Sequence, residues 1–511
     1  MKRSTRNVII VAACAAALGV AAIILQKTGG AVSSSSSAVS SDGVQLVSKS
    51  SNDVASMKVT NQKGTYTIVP MVTQNLTASS GSSKSAAAAN YTVKELAGCP
   101  IDTGETSAAV KNGFSLSASK EIGTVSTLQD YGLSDPQATV LVTFKDGSTY
   151  GYKIGNQTAT SAGSYYICSD KSSKVYVVAI DAGLLEAPTY FVQKQMISLA
   201  GDNVSSSAVS SNSSSSYNFT QITLSGTAYP TGVKLQPKAQ DAVRSSNAAA
   251  QPSLSIVAPD EYETDSTNVQ SLETSLTSLT ADSVVAVNPD AATLKQDGFD
   301  QPTAVAEYTV NKKNYKLIIG AQNGASKYYA MVGSVPVIYS VTSDGVSGLV
   351  SQSLFALRSK MIYLPNIKNV KKVTVLSGTD KTEIDVTRTE KAASSASSSG
   401  SEKEYDYKVS VNGKQLDYDT NYRNAYELLI SLALYDQADK QPPDTKPTAE
   451  IRYEYFDKSG TDAIEFYQST TRRYTAVFNG KVYGICSQSD VDKAVQTIKD
   501  FAAGKAISSS I

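Results

Sequence analysis

The chain has 511 residues, more than a single hydrophobic core organises, so two or three domains are expected. Its 46 Lys and Arg balance 46 Asp and Glu, which removes the net field that draws a protein to nucleic acid or to anionic lipid. With no histidine, Ser-His-Asp and Cys-His mechanisms are excluded, and 29 tyrosines against 10 phenylalanines suit half-buried strands whose ring edges stay wet.

Lys2, Arg3 and Arg6 precede an uncharged apolar run from Val8 to Leu25. At ~1.5 Å per residue the run spans about 27 Å, just enough for a hydrocarbon core of roughly 30 Å. The basic residues hold the N-terminus in the cytoplasm, so the remaining chain is exported. Two rivals are a signal peptide cleaved near Gly29–Ala31 and a lipoprotein signal using Val11–Cys14. The second leaves a very short apolar stretch before the cysteine and an apolar run where a polar tether belongs. A long run closed by Lys27 favours an uncleaved anchor over residues 1–27, and the serine-rich residues 28–43 read as a flexible tether.

Beyond the tether the chain repeats itself. "YGLSDPQATVLVTF" from Tyr131 aligns with "DGFDQPTAVAEYTV" from Asp297, so that Gly132 and Pro136 match Gly298 and Pro302. Further landmarks follow in the same order: Gly155 with Gly320, Tyr176 with Tyr339, and Met196 with Met361. Residues 44–203 and 217–365 are therefore two α+β repeats joined by the serine-rich linker 204–216, whereas the serine patches 79–89 and 392–401 read as loop insertions.

Residues 366–508 form a divergent third module. "KPTAEIRYEYF" from Lys446 repeats the Pro-x-Ala opening of Pro136 and Pro302, and Tyr483 falls where Tyr176 and Tyr339 fall. The Gly-Leu or Gly-Phe signature is missing there, replaced by "DKQPPDT". In each copy a proline ends what precedes it, an alternating run makes a strand, and pairs such as Asp146-Gly147, Ser459-Gly460 and Asn479-Gly480 make hairpin turns.

Helices should cover one face of each meander. Val269, Leu272, Leu276 and Leu279 share a face of a helix from Thr267; Tyr422, Ala425, Leu429 and Leu432 share one from Asn421 to Tyr435. Val491, Ala494, Val495, Ile498 and Phe501 stripe a third, with Ser489 and Asp492 spaced as a capping box. The expected architecture is α+β: repeated antiparallel β-meander sheets covered by helices, preceded by one N-terminal transmembrane helix. The recurring tyrosines are read as cross-strand packing rather than ligand stacking.

The stretches "YGLSDPQATVLVTFKDGSTYGYKIG", "SYYICSDKSSKVYVV" and "DGFDQPTAVAEYTV" with "LIIGAQN", "KYYAM" and "VIY" resemble the bacterial domain-of-unknown-function family 4340. That family's pattern is Gly-Leu-x-x-Pro, a strand, a Leu/Ile-Gly turn, and a "YY" strand followed by "VY". The resemblance covers about residues 44–365 as two copies; Phe299 replaces the usual leucine, and the serine insertions are additions. Members of that family are membrane-anchored or exported, some encoded beside components of an ABC-type transporter of the gliding-motility kind, so the resemblance implies an accessory role at the cell surface with no catalytic residues to carry over.

No Walker loop and no G-x-G-x-x-G after a strand occurs. The acidic run Asp260–Asp265 lacks the glycine and closing glutamate of a calcium loop and precedes a helix, where acidic groups suit the dipole. Arg472 and Arg473 beside Tyr474 read as a solvated turn, and Lys368, Lys371 and Lys372 as a strand's wet face. Of Cys14, Cys99, Cys168 and Cys486, Cys99 and Cys168 could pair, although apolar filling is the simpler reading of Cys168. The expectation is a non-enzymatic scaffold or accessory subunit at the cell surface, with no catalytic, cofactor-binding or metal residues. The alternative is a glycan-binding or glycan-hydrolysing surface protein, which would carry paired carboxylates in one cleft.

Overall fold

The computed structural model describes residues 43–71, 89–159, 161–199, 217–237, 254–391, 404–438, 441, 445–457 and 459–508. The segment 1–27 read as an anchor, Cys14, and most of the serine-rich stretches lie outside them. Among the described residues no helix is long and apolar enough to cross a membrane. What they form is predominantly antiparallel sheet, in three large sheets and one two-stranded ribbon.

The first sheet is made by β1 (Val44–Ser48), β2 (Val54–Asn61), β3 (Gly64–Pro70), β4 (Tyr91–Val93), β5 (Ser115–Thr124), β6 (Ala138–Phe144), β7 (Thr149–Gln157), β8 (Ser164–Ser169) and β9 (Lys174–Ala179), with α1 (Thr103–Phe114) between β4 and β5. In space they run β1-β5-β9-β8-β7-β6-β2-β3-β4.

After β10 (Gln195–Ser198), the second sheet comprises β11 (Phe219–Ser225), β12 (Val233–Pro237), β13 (Leu254–Ala258), β15 (Ser283–Val287), β16 (Ala304–Val310), β17 (Lys313–Gln322), β18 (Lys327–Val332) and β19 (Val337–Thr342). Between β13 and β16 the chain makes α2 (Ser266–Thr277), β14 (Ser278–Thr280), then β15 and α3 (Ala291–Gln296). The spatial order is β13-β12-β11-β16-β17-β18-β19-β15, and β14 pairs instead with β10.

The third sheet adds β20 (Val370–Ser377), β21 (Asp380–Glu390), β22 (Tyr405–Val411), β23 (Lys414–Leu416), β24 (Leu434–Asp436), β25 (Ala449–Tyr455), β26 (Thr461–Thr470), β27 (Arg473–Phe478) and β28 (Lys481–Ser487). Its order is β23-β22-β21-β20-β25-β26-β27-β28-β24. Helices α4 (Arg423–Ile430) and α5 (Gln488–Ala502) belong to this part.

One wiring runs through all three sheets. A four-strand meander (β6–β9, β16–β19, β25–β28) is inserted between the first strand of an outer ladder (β2, β11, β20) and the strand that follows the helix (β5, β15, β24). Three large clusters of buried residues, and a small fourth, lie on these sheets. Leu272 and Leu276 of α2 are fully inaccessible in the second cluster and contribute about 2 kcal/mol each. Val491, Ala494, Val495, Ile498 and Phe501 of α5 are buried in the third.

Local chemistry accounts for the shared landmarks. Gly132 and Gly298 are left-handed, with φ of 67° and 80°, and end short helical turns. A Cβ on Gly155 would overlap the Tyr131 carbonyl oxygen, and one on Gly320 would overlap that of Asp297. The glycine-ended turn thus docks on a glycine of the meander's second strand, tied in the second sheet by Ala321 N–H to Asp297 O at 2.8 Å. In register, Gly155 follows the Ala138 partner Ile154, and Gly320 follows the Ala304 partner Ile319. The third sheet has Tyr467 after the Ala449 partner Phe466. The receiving glycine is replaced there by Tyr467, in keeping with the missing Gly-Leu or Gly-Phe signature in the sequence. Asn479 and Gly480 both take positive φ, 47° and 80°, as a two-residue hairpin requires.

Three helix boundaries differ from expectation. Leu279 lies on β14 and Leu434 on β24, so α2 and α4 end earlier than their apolar spacing suggests. Leu432 and Leu434 fit a period of two as well as Leu429 and Leu432 fit one of three, and sheet pairing decides between them. Ser487, not Ser489, caps α5, accepting the Asp490 N–H, because β28 passes directly into the helix. Asp492 instead accepts a hydrogen bond from the Tyr474 hydroxyl at 3.2 Å.

Candidate functional site

Each unit receives a short strand or bridge from the segment ahead of it, laid along the residues that follow its helix. β1 pairs with β5 through Val47↔Leu116, β10 pairs with β14 through Ile197↔Leu279, and Met361 bridges Ala433. A glutamine clamps the first two. Gln195 Nε2 donates to Ile197 O at 2.6 Å and Leu279 O at 3.3 Å, while its Oε1 accepts from the Thr280 hydroxyl at 3.0 Å. Gln45 donates to Val47 O and Leu116 O and accepts from the Ser117 hydroxyl. "VQLVS", "KQMIS" and "SKMIY" are one joint element. The sequence comparison found the Met196–Met361 match but missed Leu46, because conservative replacements disguise the first copy.

Around β10 the first and second units press face to face. Ala281, Val337 and Tyr339 of the second unit lie in the first core, with Val284, Val287 and Val335 packed on it beside Cys99, Ile101 and Tyr190. Burial, then Cys99, pushes the Tyr339 phenol up to about 12. On the first sheet the corresponding face is different. Val284↔Tyr339 and Val287↔Val337 of the second sheet correspond in register to Glu121↔Tyr176 and Thr124↔Lys174 of the first. There Lys174 pairs with Glu121 at 2.7 Å and lies over the Tyr176 ring.

The joint between the second and third units holds the one buried Lys or Arg among the described residues. Two backbone matches locate it: Gln193 N–H to Pro100 O (2.9 Å) mirrors Ser359 N–H to Glu263 O (2.8 Å), and Asp102 N–H to Phe191 O (2.9 Å) mirrors Asp265 N–H to Leu357 O (2.8 Å). The bridges Ile101↔Val192 and Thr264↔Arg358 occupy the same place. Arg358 therefore stands where the first unit buries Val192, and Tyr262 stands where it has Cys99, three residues before the capping aspartates Asp102 and Asp265.

Arg358 is only 5 % exposed. Its guanidinium carbon lies 3.9 Å from the Tyr262 ring centre and 4.4 Å from that of Tyr483, two rings 5.4 Å apart that form an aromatic corner across the joint. Burial lowers the guanidinium's pKa from its usual value, opposed by Tyr483, Tyr262 and Asp260. Burial raises the Tyr483 phenol to about 12 despite Arg358 beside it. Outside the corner Lys481 reaches back to Asp260 at 3.2 Å. Nε and Nη2 of Arg358 are buried without a hydrogen-bond partner. Sequence reasoning passed over Arg358; the signal was a charge in an otherwise apolar row just ahead of the matched Met361.

The other candidates resolve into structure. Asp265 caps α2 through the Asn268 N–H at 2.9 Å. Lys372 pairs with Glu383 at 2.9 Å and Lys371 with Glu454 at 3.6 Å, so this basic strand is neutralised by its neighbours. Arg473 lies 5.4 Å from the Tyr435 ring. Cys99, Cys168 and Cys486 are free thiols, so Cys99 and Cys168 do not pair; Cys168 is buried beside Leu133 and Val175. Among the described residues no group of three Cys, Asp or Glu side chains is arranged to hold a metal ion. Tyr363 of the third joint strand and Tyr455 both donate to Asp462 Oδ2, at 2.8 and 2.7 Å, and Asn479 donates to Oδ1 at 2.9 Å.

A family model described as Domain of unknown function (DUF4340) matches residues 92–250 and 255–446, more than half of the chain. The chain belongs to the DUF4340 family. Each DUF4340 match opens near the last strand of an outer ladder, β4 or β13, runs through helix and meander, and crosses a joint strand into the next sheet. The DUF4340 unit thus straddles the joint. No curated protein and no solved structure matches the chain.

Proposed function

We propose that this DUF4340 protein is a membrane-tethered, extracytoplasmic scaffold: three helix-covered α+β modules carried outside the cell by an N-terminal transmembrane helix. It serves as an accessory subunit of an envelope assembly, an ABC-type transport complex being the partner its family suggests, and acts without turnover or cofactor. The observation that carries this reading is the recurring joint. Strand pairing at both junctions, with a shared apolar core at the first and an arginine–tyrosine corner at the second, makes a stiff array of units, the form of proteins that present surface rather than perform chemistry. Among the described residues, four of the six exposed large hydrophobic side chains favour the same view, Val285 and Tyr435 on the strands beside the joints and Met361 and Leu364 on the third joint segment, whereas Met71 and Leu141 lie elsewhere on the first unit.

Protease treatment of intact cells tests the placement. Digestion of residues 43–508 without lysis, with the N-terminal tip protected, is expected; protection of the whole chain until lysis overturns it. Crosslinking in intact cells should then join the protein to membrane transport subunits, and recovery of only monomeric protein refutes the accessory role.

A further inference from the structure

The two joints between units follow one plan and differ in four matched respects, all in the same direction. At the first joint, Ala281, Val337 and Tyr339 of the second unit are buried within the first unit's cluster. At the second, the third unit's cluster begins at Ile362 of the joint segment, and among the described residues ahead of it only the partly buried Phe355 packs there. Met196 packs against the clusters on both sides of its joint, whereas its match Met361 is 38 % exposed. Gln195 clamps the first joint strand forward onto the second unit. In its place ahead of Met361 stands Lys360, whose ammonium turns back to the second unit's own carbonyls, Phe355 O, Ala356 O at 3.3 Å and Arg358 O at 3.0 Å.

The fourth difference is Arg358 in the place of Val192. Its guanidinium donates to the Tyr483 hydroxyl and lies on two rings, yet Nε and Nη2 stay buried without an acceptor. Burying a cation with unmet donors opposes closure, where burying a valine favours it. Burial lowers the guanidinium's pKa against every partner around it, so the charge is less stable in the closed joint than in water. Opening the corner returns those donors to water. The tie from Lys481 to Asp260, at 3.2 Å, joins exposed side chains and adds little.

From the separate cores, the unclamped joint segment and the cation in the place of valine, we propose that the second joint is a hinge. The pivot lies between Ser359 N–H to Glu263 O, 2.8 Å, on the second unit and Leu434 N–H to Lys360 O, 2.7 Å, on the third. About residues 359–361 the third unit swings away, carrying Ile362 and Tyr363 with it, while the first and second units move as one body. The closed array is stiff, and this is where it yields. The hinge concerns how the units move, so it stands if the accessory role fails.

The test is the distribution of distances across each joint in the detergent-solubilised full chain, read by double electron–electron resonance. Spin labels on a ketone-bearing amino acid, which spares the cysteines, replace exposed helix residues in pairs: Lys111 with Gln270 across the first joint, Gln270 with Lys493 across the second. One narrow distance across the first joint and two populations across the second are expected. In Arg358→Met, which keeps the stem and removes the donors, the open population should fall about tenfold. A single narrow distance across the second joint, or equal spread across both, overturns the hinge. An unchanged or larger open population in Arg358→Met overturns the arginine as its cause. The first comparison leaves the joint unaltered, so it decides the hinge even if the methionine variant does not fold.

Discussion

Gly320→Ala is the sharpest probe of the shared motif, because the backbone at Gly320 is not left-handed and only space forbids a side chain there. The added Cβ would collide with the Asp297 carbonyl oxygen and press on the Phe299 ring at 3.3 Å. Relief requires the turn to back away from β17, breaking the Ala321 N–H to Asp297 O bond of 2.8 Å. Losing that bond costs about 1 kcal/mol and the overpacking about 1–3 kcal/mol, so a destabilisation of about 2–4 kcal/mol is expected, confined to the second unit. Gly324→Ala is the control: nothing lies within 4 Å, and its φ of 72° alone costs about 1–2 kcal/mol. Since three units need not unfold together, native-state hydrogen exchange read separately from each sheet is the appropriate assay. A Gly320→Ala cost no larger than the control's, or protection lost equally from all three sheets, refutes the docking explanation.

Two further substitutions and conditions follow from the same packing. Asp462→Leu removes the acceptor shared by Tyr363, Tyr455 and Asn479, so a loss of about 3 kcal/mol is expected from the third unit's exchange protection, together with release of the joint strand; a loss under about 1 kcal/mol would mean the network contributes nothing net. Burial raises Tyr91, Tyr150, Tyr339 and Tyr483 to about 12, above the ordinary tyrosine value near 10. The stabilisation from keeping these phenols neutral is complete below pH ~10 and is lost as pH climbs toward about 12, so cooperative alkaline unfolding with simultaneous phenolate absorbance is expected in that window. Gradual titration at the free-tyrosine value, without unfolding, contradicts it.

Much of this organisation is legible in the residues, and what is not has identifiable causes. The meanders show through because alternation and turn residues are local: Val140, Val142 and Phe144 face inward, and Asn479-Gly480 turns the chain by itself. The ends of α2 and α4 are not, because Leu279 and Leu434 satisfy helical and strand periods alike until distant segments pair with the chain there, β10 along Leu279 and both β28 and the Lys360–Met361 segment along Leu434. Arg358 escaped for a similar reason. Its setting is made by Tyr262 and Tyr483, far apart along the chain, and an isolated arginine ahead of a strand ordinarily reads as a solvated side chain.

The joint faces also bear on the order of the units. On the second sheet the face turned to the preceding unit is Val284, Val287, Val337 and Tyr339, whereas the positions in register on the first are Glu121, Thr124, Lys174 and Tyr176. Burying an ion pair such as Lys174–Glu121 against an apolar module would strip both charges of water for a Coulombic return that seldom exceeds the loss. The first sheet nevertheless carries β1, clamped by Gln45 as β10 is by Gln195. A joint strand paired to a charged, wet face holds the chain in register while the face refuses another module. Exchanging Glu121 and Lys174 for valine is accordingly expected to create a sticky end. Concentration-dependent self-association of that variant in sedimentation, beyond that of the unaltered protein, would bear this out, and sedimentation unchanged from it would show that the apolar face alone does not specify docking.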